Sequence, residues 1–145
     1  MEIPPDVSDD VFEKEFIRGV ILLTEMQFRS GERKEKFLIV LNQHPTEVDT
    51  LLFLTTSQAQ FYDKHPHVDH VRIEVNKIDC FHLETVIDCR EVFVLSRSDL
   101  RRPFGEGILR FAGNLPEAMM TRIDQIVAAS RSISLRHKKA ILGWQ

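Results

Sequence analysis

The chain has 145 residues, 43% of them hydrophobic and 28% charged, with a formal net charge of -3. Those values predict one soluble domain with a single core and exclude a surface that binds nucleic acid through a general excess of positive charge. The longest apolar runs, GVILL and FLIVL, fall far short of the roughly 20 residues that span a bilayer, so no membrane segment is expected.

The opening MEIPPDVSDD is acidic where a secretory signal is basic and then apolar, which sets the expectation of a cytoplasmic protein. Residues 1–17 are read as an acidic tail and a short helix. In that helix Val11, Phe12, Glu15 and Phe16 share one side, Asp9 or Asp10 caps the start, Gly19 stops it, and burial is modest. Residues 18–145 are read as one domain. GVILLTEMQF is a strand, RSGERKEK a long basic loop, and FLIVLN a second strand whose unbroken apolar character suits burial on both faces. After the polar turn QHPTEVD, TLLFLTTS is a third strand ending in hydroxyls, and HVRIEV alternates as a half-exposed strand. TVIDCREVFVLS reads as one further strand, and RRPFGEGILRFAGNLP as a turn, a short strand and another turn. The period then changes: in LPEAMMTRIDQIVAASRSI, Met119, Ile123, Ile126, Val127 and Ser130 form one stripe of a helix opened by Asn114 or Pro116. SLRHKKAILGWQ prolongs that helix or forms a short second one. The order predicts an α+β protein: a small, curled, antiparallel, barrel-like sheet of about five to seven strands with a C-terminal helix packed on it.

Candidate chemistry is concentrated in FLTTSQAQFYDKHPHVDH, residues 53–70. Thr55, Thr56 and Ser57 form either the rim of a groove or the polar edge of a sheet. Phe61 and Tyr62 offer rings for stacking on unpaired bases, with packing under the loop the stronger expectation for Phe61, whereas Tyr62, the only tyrosine, has a polar tip to satisfy. Phe104 has the same ambiguity. His65, His67, His70, Cys80 and His82 match no strong metal-ligand spacing, so no metal is expected; a histidine as proton donor in RNA cleavage fits better. Cys80 and Cys89 lack a Cys-x-x-Cys arrangement and are read as reduced, buried thiols. No Gly-x-Ser-x-Gly elbow or glycine-rich phosphate loop is present. Basic residues cluster in RSGERKEK (Arg29, Arg33, Lys34, Lys36), SRSDLRRP (Arg97, Arg101, Arg102) and SRSISLRHKK (Arg131, Arg136, Lys138, Lys139). Such runs are ordinarily solvated faces, and a binding patch requires the first two to meet in space.

In the order of these words the chain resembles the plasmid-maintenance toxins of the MazF/PemK type, small ribonucleases with a barrel-like sheet and a C-terminal helix. The resemblance spans residues 18 to about 142. It rests on RGVILLTEMQF, EKFLIVLN, LLFLTTSQ, TVIDCREVFVLS and AGNLPEAMMTRIDQIV taken in sequence. It implies cleavage of single-stranded RNA without metal or other cofactor, by attack of a ribose 2′-OH on the adjacent phosphate. It also implies a homodimer and an antitoxin-like protein peptide as partner. Carried onto this chain, the catalytic set is Lys36, Thr56 and Asp88, and the substrate-binding set Arg33, Thr55, Ser57 and Tyr62. The family's arginine before proline falls on Lys36-Phe37, so a point charge replaces a bidentate fork, and the arginine found near Asp88 in some relatives is replaced by Val86 or Ile87. The alternative implied is a catalytically inactive domain of the same type that binds a partner peptide or RNA.

Overall fold

The computed structural model describes residues 12, 14, 16–27, 30–43 and 48–144. The acidic tail, the caps Asp9 and Asp10, Val11 and Glu15 of the expected first helix, Arg29, and residues 44–47 of the QHPTEVD turn lie outside the described residues. The elements are β1 (Val20–Gln27), β2 (Arg33–Val40), β3 (Asp49–Thr56), α1 (Ala59–Lys64), β4 (His70–Ile73), β5 (Thr85–Asp88), β6 (Phe93–Ser96), α2 (Arg97–Gly105), β7 (Arg110–Asn114), α3 (Glu117–Ala129) and α4 (Leu135–Leu142).

The protein is α+β, built on a curled antiparallel sheet in the order β4-β5-β3-β2-β1-β7. Strand β3 organises the curl. One of its edges pairs with β2, while the other takes β6 along Asp49–Leu52 and β5 at Thr55–Thr56, end to end. The apolar word TVIDCREVFVLS is therefore two strands rather than one. Between them the Cys89 amide bonds the Asp69 carbonyl, and Ser132 Oγ donates to the Arg90 carbonyl at 2.8 Å, so the chain leaves β3 between the two paired stretches.

The unbroken apolar runs of β1 and β2 reflect burial on both faces, as expected for FLIVLN. Ile21 and Ile39 enter one core with Phe53, Ile87, Ile123, Val127 and Ile141. Val20, Leu22, Leu38 and Val40 enter a second core with Phe12, Phe16, Leu100 and Phe104. Of the stripe expected on the penultimate helix, Ile123, Val127 and Ser130 are buried and Met119 and Ile126 partly so, while Met120, outside that stripe, is the buried methionine. α4 is a separate helix because Ser130 and Ser134 turn the chain, Ser134 accepting from the His137 amide as its N-cap.

The second core contradicts the expected modest burial of the first helix, since Phe12 and Phe16 are 0% and 2% exposed with ring centroids 4.5 Å apart. It also explains α2, which falls where a turn was expected. Pro103 lies inside that helix, but Leu100 and Phe104, one helical turn apart, are buried in this layer. Burying two such side chains, worth about 1.5–3 kcal/mol each, outweighs the lost backbone hydrogen bond. The basic loop expected between the first strands is also corrected: Arg33, Lys34 and Lys36 are residues of β2, paired with Gln27, Met26 and Thr24.

Gly19 enters β1 at φ 87°, its amide bonding the Val40 carbonyl and its carbonyl accepting from Leu115. A Cβ there would lie 3.4 Å from the Met120 side chain, so both the conformation and the close approach of α3 require glycine. Arg18, just before it, ties three elements: it donates to the carbonyls of Leu41 and Ile141 and pairs with Asp124 of α3 at 2.5 Å. Among the described residues no helix is long and apolar enough to cross a membrane.

Candidate functional site

The site begins where β2 and β3 part. Their ladder pairs Val40 with Leu52, Ile39 with Phe53 and Leu38 with Leu54; continued in register it would set Lys36 level with Thr56. Instead the strands splay, and Thr55 Oγ donates to the Phe37 carbonyl at 2.9 Å in place of a ladder bond. The β4–β5 connection closes the gap from the far side. Asn76 adopts a left-handed φ of 62°, a conformation its short polar side chain tolerates, and Phe81 is buried beside Phe37 with ring centroids 4.8 Å apart. The next residue, His82, is thereby carried to the notch.

The notch is a cavity of about 320 Å³ with Lys36, Thr55, Thr56 and Ser57 on its walls. The sequence-predicted cation and hydroxyls thus line one space. Side chains alternate along a strand, so Glu35 and Phe37 belong to one face of β2 and Lys36 to the other. That all three line the cavity means it is cut between the strand edges. Thr55 is 5% exposed and its hydroxyl proton is committed to Phe37. Thr56, which accepts from the Gln58 amide at 3.1 Å, and exposed Ser57 are the hydroxyls open to a ligand. Arg33 is not brought in: it lies farther out on the hairpin, paired with Glu25 at 3.7 Å, and does not line the notch.

A second recess of about 250 Å³ shares Thr56 and is lined by Gln58, Phe61, Tyr62, Asp88 and Arg90. Asp88 accepts from the Arg90 amide at 3.0 Å, from Nε at 3.1 and 3.2 Å, and from Nη2 at 2.7 Å. Burial alone would push this carboxyl up, but hydrogen bonds and charge from Arg90 outweigh it and hold Asp88 below the ordinary range. Asp88 is thus a fixed carboxylate that orients an arginine, in the recess beside the notch.

The two aromatic residues exchange their expected parts. Tyr62 is 2% exposed, packed with Ala59 and Val86, so its ring faces are covered. Phe61 is 38% exposed, stacked on His65 at 4.5 Å, with the Arg90 guanidinium 5.2 Å from its centroid. α1, only six residues long, sets which ring turns inward. The Tyr62 phenol is pushed up to about 12, first by burial and then by the negative Asp88 beside it. Since the chain has a single tyrosine, its phenolate absorbance at 295 nm reports this one group. The expected midpoint lies near 12 in the folded protein and near the ordinary value of about 10 in urea. A raised folded value means that this group's contribution to stability is complete below about pH 10 and is lost as the pH rises through about 12. Asp88→Asn should move the folded midpoint downward.

The first two basic clusters are each engaged locally. Lys34 pairs with Glu32 at 3.4 Å and Arg102 with Glu106 at 2.9 Å, while Arg97 is buried with its guanidinium 4.9 Å from the Phe16 ring. Of the histidine group, His65 Nδ1 meets the Phe61 carbonyl at 3.0 Å and His70 Nδ1 the Val68 carbonyl at 2.5 Å. Among the described residues no three His, Cys, Asp or Glu side chains are grouped to hold a metal ion. Glu35 and Arg90 were not singled out from the sequence, and His82 was named there only as one of the histidine–cysteine group. Glu35 adjoins Lys36 and Arg90 follows Asp88 by two, but nothing local sets His82 apart from the other histidines, and only the loop fold delivers it to the notch.

The fold and site together define a curled-sheet α+β domain with a hydroxyl-lined, lysine-bearing notch. No known family model matches the chain, and no characterised protein matches it at a significant level.

Proposed function

We propose that this chain is a toxin-like endoribonuclease that cleaves single-stranded RNA without metal, by attack of a ribose 2′-oxygen on the adjacent phosphate. The observation that carries this reading is the convergence of Lys36 from β2 with Thr56 and Ser57 from the end of β3 on one open notch. A phosphorane gathers charge on its non-bridging oxygens, and an ammonium with hydroxyl donors stabilises that charge more than the ground-state diester. Asp88 orients Arg90 beside Thr56, so a second cation flanks the same strand tip. Arg33 and Lys34, farther along β2, suit neighbouring phosphates of an extended strand. A cytoplasmic location and a homodimer go with this reading, and light scattering on a sizing column measures the latter.

The test is incubation of a mixed-sequence, end-labelled single-stranded RNA with the purified chain in EDTA. Expected products carry a 2′,3′-cyclic phosphate and a 5′-hydroxyl, and Thr56→Val should slow their formation at least 10-fold, the scale of a lost transition-state donor of about 1.4 kcal/mol or more. An RNA left intact at micromolar enzyme would refute the proposal.

A second reading is favoured by a different feature. Leu83, 66% exposed, and Phe61 flank a shallow hollow next to the notch, which suits the apolar side chains of a peptide. Under that reading the chain is a catalytically silent domain that binds RNA or an antitoxin-like peptide, and affinity without turnover selects it.

A further inference from the structure

We propose that Glu35 and His82 are the proton-transfer pair of this site, an assignment that rests on the ribonuclease reading above. In the step, Glu35 takes the proton from the 2′-OH as that oxygen bonds to phosphorus. The bond from phosphorus to the 5′-oxygen breaks, and protonated His82 gives its proton to the departing 5′-oxygen. The products are a 2′,3′-cyclic phosphate and a 5′-hydroxyl, with no other reactant consumed.

The argument is by position. The titratable side chains lining the notch are Glu35, Lys36, Cys80 and His82. Lys36 is the cation the phosphate needs, and burial pushes the Cys80 thiol up, which keeps it a neutral wall. Asp88 belongs to the neighbouring recess, where several hydrogen bonds from Arg90 already occupy it. That leaves one carboxylate and one imidazole, the combination of base and acid that a transesterification in water near neutrality requires. Both are supported from behind. Arg110 Nη2 donates to Glu35 Oε1 at 3.4 Å across the sheet, and His82 follows Phe81, anchored in the core against Phe37. They also enter from different elements, β2 and the β4–β5 connection, as a base and an acid on either side of one phosphorus must. The charged and titratable residues that share the notch with His82 are Glu35 and Lys36 from β2 and Cys80 from its own loop, while Glu84 pairs with Arg72 at 3.0 Å.

The discriminating experiment compares two substrates, single-stranded RNA and a nucleoside 3′-(4-nitrophenyl phosphate), whose leaving group departs without a proton. His82→Gln should slow RNA cleavage by about 10²-fold or more. The same variant should turn over the nitrophenyl ester within about threefold of the wild-type rate, because an acid of this kind contributes nothing when the leaving group is already weakly basic. Glu35→Gln should slow both substrates. His82→Ala, checked by its urea midpoint, guards against a folding artefact. RNA cleavage undiminished in His82→Gln, or equal losses on both substrates, overturns the assignment while leaving the ribonuclease reading standing. Wild-type protein that leaves RNA intact overturns both.

Discussion

Replacing Lys36 with alanine is expected to slow single-stranded RNA cleavage by about 10²- to 10³-fold, the range seen when one preorganised donor to a developing oxyanion is removed. The reason lies in the strand geometry. Lys36 is held across from Thr24 of β1, just beyond the last rungs of the β2–β3 ladder, where β2 and β3 part. Its Cα position is therefore set by pairing with β1 and not by a flexible loop, so the ammonium is delivered with little ordering cost. Lys36→Arg should retain most of the rate, since charge is kept and a fork is added. Steady-state assays in EDTA at two ionic strengths check this. The loss in Lys36→Ala should appear mainly in kcat, because the charge it answers grows in the transition state. A variant as fast as wild type would move the phosphate out of the notch altogether.

The largest expected effect on stability is Arg18→Ala. The guanidinium joins the Leu41 carbonyl at the end of β2, the Ile141 carbonyl in α4 and the Asp124 carboxylate of α3. Its side chain is 19% exposed and that of Asp124 33%, so the pair is screened less than a surface bridge and more than a buried one. Truncation leaves a carboxylate and two carbonyls short of a donor. Between the surface and buried limits, the cost is about 2–3 kcal/mol, or a fall in Tm of roughly 5–10 °C for a chain of this size. Thermal melts monitored by far-ultraviolet circular dichroism measure it. A double-mutant cycle with Asp124→Ala should show coupling, while Arg18→Lys should recover only part of the loss because one ammonium cannot reach all the acceptors. Catalysis, if assayed well below the melt, should be unaffected, since Arg18 stands apart from both recesses.

How far each feature was legible follows from the range of the interaction behind it. The strand words around β1, β2, β3 and β4 and the stripe of α3 are written in local periodicity, and they appear in the structure within a few residues. The apolar FLIVLN run, in particular, carried correct information about burial on both faces because a strand shows both of its faces in consecutive residues. By contrast, α1 is too short for a periodic signal, and α2 contains a proline that locally argues for a turn. Both exist because their few apolar side chains find partners far away in sequence: Tyr62 against Val86, and Phe104 against Phe12 and Phe111. The inversion of Phe61 and Tyr62 has the same origin, since neighbouring residues of equal apolar weight are distinguished only by which way the helix is turned.

For the site, the sequence by itself determined which groups were on offer: a lysine at the start of one apolar strand, hydroxyls at the end of the next, and an acid in the IDC word. It also determined that Lys36 and Thr56 lie at corresponding ends, because antiparallel neighbours reverse direction. Tertiary structure alone decided that the strands splay there, that Asp88 stands in a recess beside the notch, and that Glu35 and His82 share the notch with Lys36. Splay, recess and loop closure arise from contacts between residues distant in the chain, such as Phe37 with Phe81. No window of neighbouring residues contains both halves of such a contact.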